Sequence, residues 1–234
     1  MNPLLVLLPG LDGTGRLFDP LLQVLPEDWP ARVVAYPPDR PLGYRELLPL
    51  VLAALPGDGR AYVLLGESFG GPLALKAALA APRPPVAVVL SASFIRNPSW
   101  AWPRLVECFG PFARLLPDAW RIRGLLGRAQ DAAVERTLVD IQGQVAMPVF
   151  HARLLEVMRV EAGPELAQCP CPVLYLRGRE DRVVPRRALL SARSVRSDLE
   201  VATFPTGHLL LQLAPRPAFE AIRAFLEKHG LVAP

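Results

Sequence analysis

The stretch Ala61-Tyr-Val-Leu-Leu-Gly-Glu-Ser-Phe-Gly-Gly-Pro-Leu-Ala-Leu75 decides how the chain is read. Its first five residues form a continuous apolar run, the pattern of a strand buried on both faces. Pro72 to Ala80 has the apolar spacing of a helix, and Pro72 suits its first turn, where an N–H has no partner in any case. Between them lies Gly66-Glu67-Ser68-Phe69-Gly70, a G-x-S-x-G pattern set where strand passes to helix. Such a turn reverses sharply and holds its serine in a strained conformation. Glycines at 66 and 70 remove side chains that would collide where the two elements pass. The Ser68 hydroxyl is then presented at the carboxyl end of the strand, beside a helix N-terminus that favours negative charge.

Working outward, similar apolar runs at Leu4–Leu8, Arg32–Tyr36, Val86–Leu90, Val173–Leu176 and Glu200–Phe204 predict five further strands. Helical patterns at Leu17–Leu25, Tyr44–Leu55, Arg186–Ser194 and Pro217–Lys228 alternate with them. Alternation of this kind specifies an α/β fold, with a mostly parallel sheet covered by crossover helices. It breaks once. From Phe94 to Gln168 no strand signal appears, and helical segments are punctuated by Pro103, Pro111, Pro117, Gly124, Gly127, Gly143 and Pro148. We expect residues 1–93 and 169–234 to form the core and residues 94–168 an inserted helical cap.

A serine hydroxyl is a poor nucleophile at neutral pH and needs an adjacent base. Of three histidines, His151 falls within the cap pattern and His229 at the end of the last helix. His208 follows the last predicted strand in Phe204-Pro-Thr-Gly-His-Leu, where a loop folds back toward Ser68. An imidazole base needs an acceptor to fix its tautomer. Asp181, in the loop after the preceding strand, is the candidate, with Glu180 its immediate competitor. The order Ser, Asp, His is the one this architecture uses. After the first strand, Pro9-Gly-Leu-Asp-Gly-Thr-Gly15 offers backbone donors, so the N–H groups of Leu11 and Phe69 are candidates for an oxyanion hole. A dinucleotide loop is a poor fit there, because G-x-G-x-x-G fails at Phe18 and no Walker lysine follows.

These residues together resemble the α/β-hydrolase superfamily over nearly the whole chain. The resemblance rests on the elbow Gly66–Gly70, on Gly178-Arg-Glu-Asp-Arg-Val-Val-Pro185 as the acid loop, and on Gly207-His208 as the histidine loop. Within the superfamily the chain is similar to small carboxylesterases and thioesterases with a helical cap. Leu8-Pro-Gly-Leu-Asp-Gly-Thr-Gly15 and Gly66-Glu-Ser-Phe-Gly-Gly71 also resemble the phytyl ester synthase group of acyltransferase-like hydrolases. Three positions depart from the family pattern. Pro9 replaces the usual histidine before Gly10, and Leu213 stands where a glutamate is common. The chain also starts at what would be the family's third strand, so about six strands are expected.

The resemblance implies hydrolysis of carboxylic esters or thioesters of apolar acyl groups through an acyl-enzyme on Ser68. Two alternatives stay open at this stage: acyl transfer to an alcohol, and a non-catalytic ligand receptor on the same fold. Trp100, Trp102, Phe109, Phe112, Trp120, Met147, Phe150 and Met158 concentrate in the cap segment, and the first seven are the candidate substrate-binding residues. Arg114, Arg121, Arg123 and Arg128 face only Asp118 in sequence, which makes an acidic acyl carrier a candidate partner.

Composition narrows the field. There are 26 Lys and Arg against 22 Asp and Glu, a net charge of +4, but the bases are scattered rather than gathered in a stripe, which argues against nucleic acid. With 51% hydrophobic residues among 234, a sizeable core forms without disulfides. Cys108, Cys169 and Cys171 make an odd count with no framework, as expected of a cytoplasmic protein. No metal or other cofactor is implied. No apolar stretch approaches a membrane span, and Leu4–Leu8 is too short for a signal-peptide core.

Overall fold

The structure is a computed structural model that describes residues 2–98, 126 and 131–233. Among the described residues six strands form one sheet: β1 (Leu4–Leu8), β2 (Ala31–Val33), β3 (Tyr62–Glu67), β4 (Ala87–Ser91), β5 (Val173–Gly178) and β6 (Glu200–Phe204). Their spatial order is β2-β1-β3-β4-β5-β6, and every neighbouring pair is parallel. The chain runs outward from β1 to β2, then returns past β1 to β3. The strand order thus reverses between β1 and β3, and open parallel sheets place their ligands at the carboxyl ends of such a pair.

Alternation along each strand explains how one apolar run serves two cores. Leu4, Val6 and Leu8 of β1, Leu64 of β3, Val88 and Leu90 of β4 and Tyr175 of β5 point to one face. There they meet α2 (Tyr44–Ala53), α3 (Gly70–Ala80) and the buried side of α7 (Arg186–Val195). Leu5, Leu7, Val63, Leu65, Val89, Leu174 and Leu176 point to the other face, against Phe18, Leu21, Trp29 and the helix α9 (Pro215–Lys228). Trp29 meets Phe219 of α9 edge-on, with ring centroids 4.9 Å apart. Both faces are covered by helices, which is why the strands read as unbroken apolar runs.

Between β4 and β5 the described chain carries α4 (Ala132–Gln142), α5 (Met147–Arg159) and α6 (Gly163–Gln168). Asp131 caps α4, its carboxylate accepting from the Ala133 and Val134 N–H groups at 2.9 and 3.1 Å. Val134, Leu138 and Ile141 of α4 pack with Leu126, Leu17 and Leu209. Val157, Val160 and Leu166 join the same apolar cluster as Leu8 and Phe69. The described part of the chain between β4 and β5 is thus packed onto the sheet rather than tethered to it.

Two sequence expectations shift. The second strand was expected at Arg32–Tyr36 but lies at Ala31–Val33. The Tyr36 N–H bonds Gly13 O at 2.7 Å, drawing the chain out of the ladder ahead of Pro37. The helix expected over Leu17–Leu25 is a 3₁₀ turn, Arg16–Phe18, followed by the short α1 (Asp19–Leu22). Gly15 sits in the left-handed region at φ 77°, so the segment enters through a turn, and Pro26 follows soon after its end. A short helix α8 (Leu210–Leu213) precedes α9, which begins at Pro215.

Candidate active site

Ser68 lies at the end of β3 with φ 49°, a left-handed conformation that costs a non-glycine residue of order 1 kcal/mol or more. The surroundings enforce it. The Ser68 N–H donates to Ser91 O at 2.9 Å, and Ser68 O accepts from the Ser93 hydroxyl at 2.6 Å and the Gly71 N–H at 3.1 Å. The Tyr175 hydroxyl in turn donates to Ser93 O. The flanking glycines are required by close approach. A Cβ on Gly66 would stand 2.4 Å from Gly70 O, and one on Gly70 would stand 2.2 Å from Leu8 O.

His208 comes from the loop between β6 and α8, and its Nε2 lies 3.1 Å from Ser68 Oγ. Its Nδ1 lies 2.8 Å from Asp181 Oδ2. The other Asp181 oxygen accepts from the Val183 and Val184 N–H groups at 2.9 and 2.8 Å, so the carboxylate is fixed from both ends. Glu180 is only half-buried and its N–H bonds Thr206 O; it is Asp181 that reaches the imidazole. With Nδ1–H directed at Asp181, Nε2 is the acceptor facing the serine. Burial pushes the His208 pKa down, but the charge and hydrogen bond of Asp181, with the charge of Glu67, outweigh it and hold the pKa above the ordinary histidine value. The sequence alone suggests only the reference value.

The loop after β1 comes up beside the serine. A Cβ on Gly10 would lie 3.7 Å from Ser68 Cβ. Among the described residues no protein acceptor takes the Leu11 or Phe69 N–H, and Phe69 is the residue that caps α3. The Phe69 ring is stacked on Tyr44 with centroids 4.5 Å apart and meets Tyr36 at 6.1 Å, which fixes the residue after the serine.

Two residues that sequence reasoning missed complete the site. Arg153, on α5, is fully buried. Its Nη1 donates to Leu11 O at 2.9 Å and Asp12 O at 2.8 Å, and its Nη2 to Pro37 O at 2.9 Å. The guanidinium lies 5.4 Å from the Tyr36 ring centroid. Gly13, at φ 69°, leaves room for it, since a Cβ there would stand 2.4 Å from Arg153 Nη1. Arg153 thus braces the loop that Pro9, standing in place of the family's histidine, cannot brace. Its only sequence signal is position: an arginine four residues from both Val149 and Val157, inside their apolar stripe. The second missed residue is Gln212 of α8, whose Nε2 donates to Glu67 Oε1 and to Leu17 O, each at 2.9 Å.

Met147 and Phe150 lie on α5, both half-buried, on a helix whose Val149, Arg153 and Val157 face inward. Trp100, Trp102, Phe109, Phe112 and Trp120 lie outside the described residues, as do Cys108, Arg114, Asp118, Arg121, Arg123 and Arg128. Cys169 and Cys171 are buried free thiols away from the serine, with sulfurs 3.7 Å apart. Among the described residues no helix is long and apolar enough to cross a membrane, and no group of three or more His, Cys, Asp or Glu side chains is placed to hold a metal ion.

A doubly covered parallel sheet, a strained serine between β3 and α3, and an aspartate and a histidine from the carboxyl-edge loops after β5 and β6 define the class. The chain belongs to the alpha/beta hydrolase family, whose model matches residues 5–222. It is 27% identical over 225 residues to a pimeloyl-[acyl-carrier protein] methyl ester esterase of Xanthomonas campestris pv. campestris, covering 88% of this chain and 87% of that protein. It is 29% identical to the biotin biosynthesis bifunctional protein BioHC of Cellvibrio japonicus, with 97% of this chain matching 48% of that longer protein. Among solved structures, a bromoperoxidase from Bacillus anthracis superposes with a TM-score of 0.82 at 16% identity, covering 97% of this chain and 92% of that one. An esterase from Exiguobacterium antarcticum superposes with a TM-score of 0.77 at 15% identity, covering 97% and 92%. At those identities the structural likeness establishes the fold alone.

Proposed function

We propose that this carboxylesterase-type hydrolase cleaves carboxylic esters or thioesters of apolar acyl groups through an acyl-enzyme on Ser68. The observation that carries the reading is the continuous relay from Ser68 Oγ to His208 Nε2 at 3.1 Å and from His208 Nδ1 to Asp181 at 2.8 Å. Neutral His208 takes the serine proton as Oγ attacks the acyl carbonyl carbon. Asp181 holds the tautomer and stabilises the imidazolium that forms. Negative charge gathers on the carbonyl oxygen, and the Leu11 and Phe69 N–H groups, with the N-terminus of α3, are the donors suited to meet it. Collapse expels the alcohol or thiol, which takes the proton from His208. Water, deprotonated by His208, then attacks the acyl-enzyme. The carboxylic acid departs and Ser68 regains its proton.

In this reading residues 94–168 are a cap over a core of residues 1–93 and 169–234, and Arg153 and the α4 cluster are what seat it. The cap's apolar side chains, Met147 and Phe150 among them, line the acyl site. The match, over 88% of this chain, to esterases named for a methyl ester of an acylated carrier protein supports an acyl group presented on a carrier protein as one substrate to try. The test is a panel of p-nitrophenyl esters and acyl thioesters of graded chain length, with Ser68→Ala as control. Turnover should favour medium or longer chains over acetate and fall by about 10⁴-fold or more in the variant. Equal turnover of all chain lengths would remove the apolar acyl site, and residual activity above about a tenth would remove Ser68.

A further inference from the structure

Glu67 is the residue immediately before the serine, and it is 2% exposed. A carboxylate so buried beside a reaction centre demands a cation or several donors. Among the described residues it has one hydrogen bond, from Gln212 Nε2 at 2.9 Å. The amide's orientation is fixed by its other acceptor. Gln212 Nε2 also donates to Leu17 O at 2.9 Å, and a backbone carbonyl can only accept. The amide oxygen, Gln212 Oε1, is therefore directed away from Leu17, and it is buried with no donor among the described residues. An orphaned buried acceptor lies on the side chain that contacts a buried carboxyl. Both deficits vanish together if the carboxyl carries a proton. A neutral acid accepts from Nε2 with one oxygen and donates through its O–H to Oε1, as acids and amides pair.

We propose that Glu67 is a positioning residue for the hydrolysis, held as a neutral acid in a two-bond pair with Gln212 that ties the Ser68 turn to the helix following His208. The third tie, from Gln212 to Leu17, reaches the 3₁₀ turn that follows the Leu11 loop. The three chain segments that bring the serine, the histidine and the candidate oxyanion donors are joined at one amide. The proposal rests on the reading of Ser68 and His208 as nucleophile and base.

The charges around Glu67 fit a proton held there. The titratable groups that act on it are His208, from the loop after β6, and Asp12, from the loop after β1; Asp181 stands beyond His208. Burial, the largest effect, and the Asp12 charge push the carboxyl up, against the Gln212 bond and His208, to about 7. Glu67 and His208 each act on the other's charge, so they titrate as a pair. At intermediate pH the productive form, neutral His208 with protonated Glu67, competes with imidazolium and carboxylate.

The test uses Glu67→Gln and Glu67→Leu in the full chain. Glutamine can donate and accept as the neutral acid does, whereas leucine orphans both ends of Gln212. Glu67→Leu should lower kcat about tenfold, and Glu67→Gln should restore most of that loss. Glu67→Gln should also move the acid limb of kcat/KM to lower pH, on the order of half a unit, because the competing proton arrangement is gone. A third measurement does not depend on activity. Glu67 has its pKa raised on folding, so its contribution to stability is complete below about 4.5 and is lost as pH rises through about 7. The unfolding constants of wild type and Glu67→Gln should therefore diverge between those values, by up to 10²-fold or so, with the variant gaining. Infrared spectra should show a protonated-carboxyl band absent from Glu67→Gln. In Gln212→Leu that band should move to higher frequency, which keeps the test open if the Glu67 variants do not fold. A pH-independent stability difference, with no such band, would overturn the proposal. If the stability and infrared results appear while Ser68→Ala remains active, the pair stands and the catalytic reading falls instead.

Discussion

Replacing Arg153 with methionine removes the brace of the candidate oxyanion loop while keeping much of the side chain's volume. The guanidinium makes three hydrogen bonds to carbonyls of two segments, at 2.8–2.9 Å. Bonds from a charged donor contribute roughly 1.5–3 kcal/mol each, which gives a gross loss of about 5–9 kcal/mol. Part is returned, because burial of the guanidinium is itself costly, as its lowered pKa indicates, and its Nε is buried without a partner among the described residues. A net destabilisation of about 2–4 kcal/mol is expected, lowering Tm by roughly 5–15 °C in a chain of this size. The functional loss is separate. Leu11 O and Asp12 O are held by Arg153, and the Leu11 N–H belongs to the same loop. Loss of one oxyanion donor costs about 10²–10³ in kcat, which bounds the effect. Arg153→Lys keeps the charge, but one ammonium cannot serve three carbonyls in the same fork geometry, so it should recover only part of either loss. The assay is thermal unfolding of both variants together with kcat and KM on a p-nitrophenyl ester, well below the lower Tm. A lowered Tm with kcat within about twofold of wild type would show that the loop keeps its position without Arg153, and would refute the reasoning.

Other expectations follow from the same geometry. Asp181→Asn should reduce the rate by roughly 10²–10⁴ with folding largely intact, while Glu180→Gln costs little; reversed results would make Glu180 the acid. Activity should rise with pH through an ionisation above the ordinary histidine value of about 6.5, because Asp181 and Glu67 hold the His208 pKa up. The stability that His208 gains from Asp181 is complete below the unfolded histidine's pKa and is lost as pH rises through the folded value, so thermal melts of wild type and His208→Ala should converge above it. If the Arg-rich stretch receives an acidic carrier, the double variant Arg121→Glu, Arg123→Glu should lower kcat/KM for a carrier-bound ester, chiefly at low salt, and leave a p-nitrophenyl ester alone. Equal effects on both substrates would exclude the carrier.

The site's backbone was legible because each of its chemical groups follows a strand. Ser68, Asp181 and His208 stand after β3, β5 and β6, and parallel strands end at one edge, so strand recognition alone puts their loops together. Arg153 and Gln212 were not legible, for a physical reason. Their partners lie 142 and 145 residues away along the chain, at Leu11 and Glu67, and no local pattern records such a meeting. Each leaves only a faint trace, a polar residue on a stripe or short helix that is otherwise apolar. The second strand was misplaced because Val34 and Tyr36 are as apolar as a strand requires. What removes Tyr36 from the ladder is a hydrogen bond to Gly13, a contact with another segment. Glu67 occupies a position that the motif leaves free, so its burial and its amide partner emerge only from the folded arrangement.

Ser68 acting as nucleophile, activated by His208, is open to direct observation. The most direct measurement is covalent labelling with a fluorophosphonate, followed by peptide mass mapping, in wild type, Ser68→Ala and His208→Ala. One phosphonyl group per chain should appear on the peptide bearing Ser68, with no labelling in Ser68→Ala and labelling slowed by orders of magnitude in His208→Ala. Modification of another residue, or labelling at the wild-type rate without His208, would contradict it.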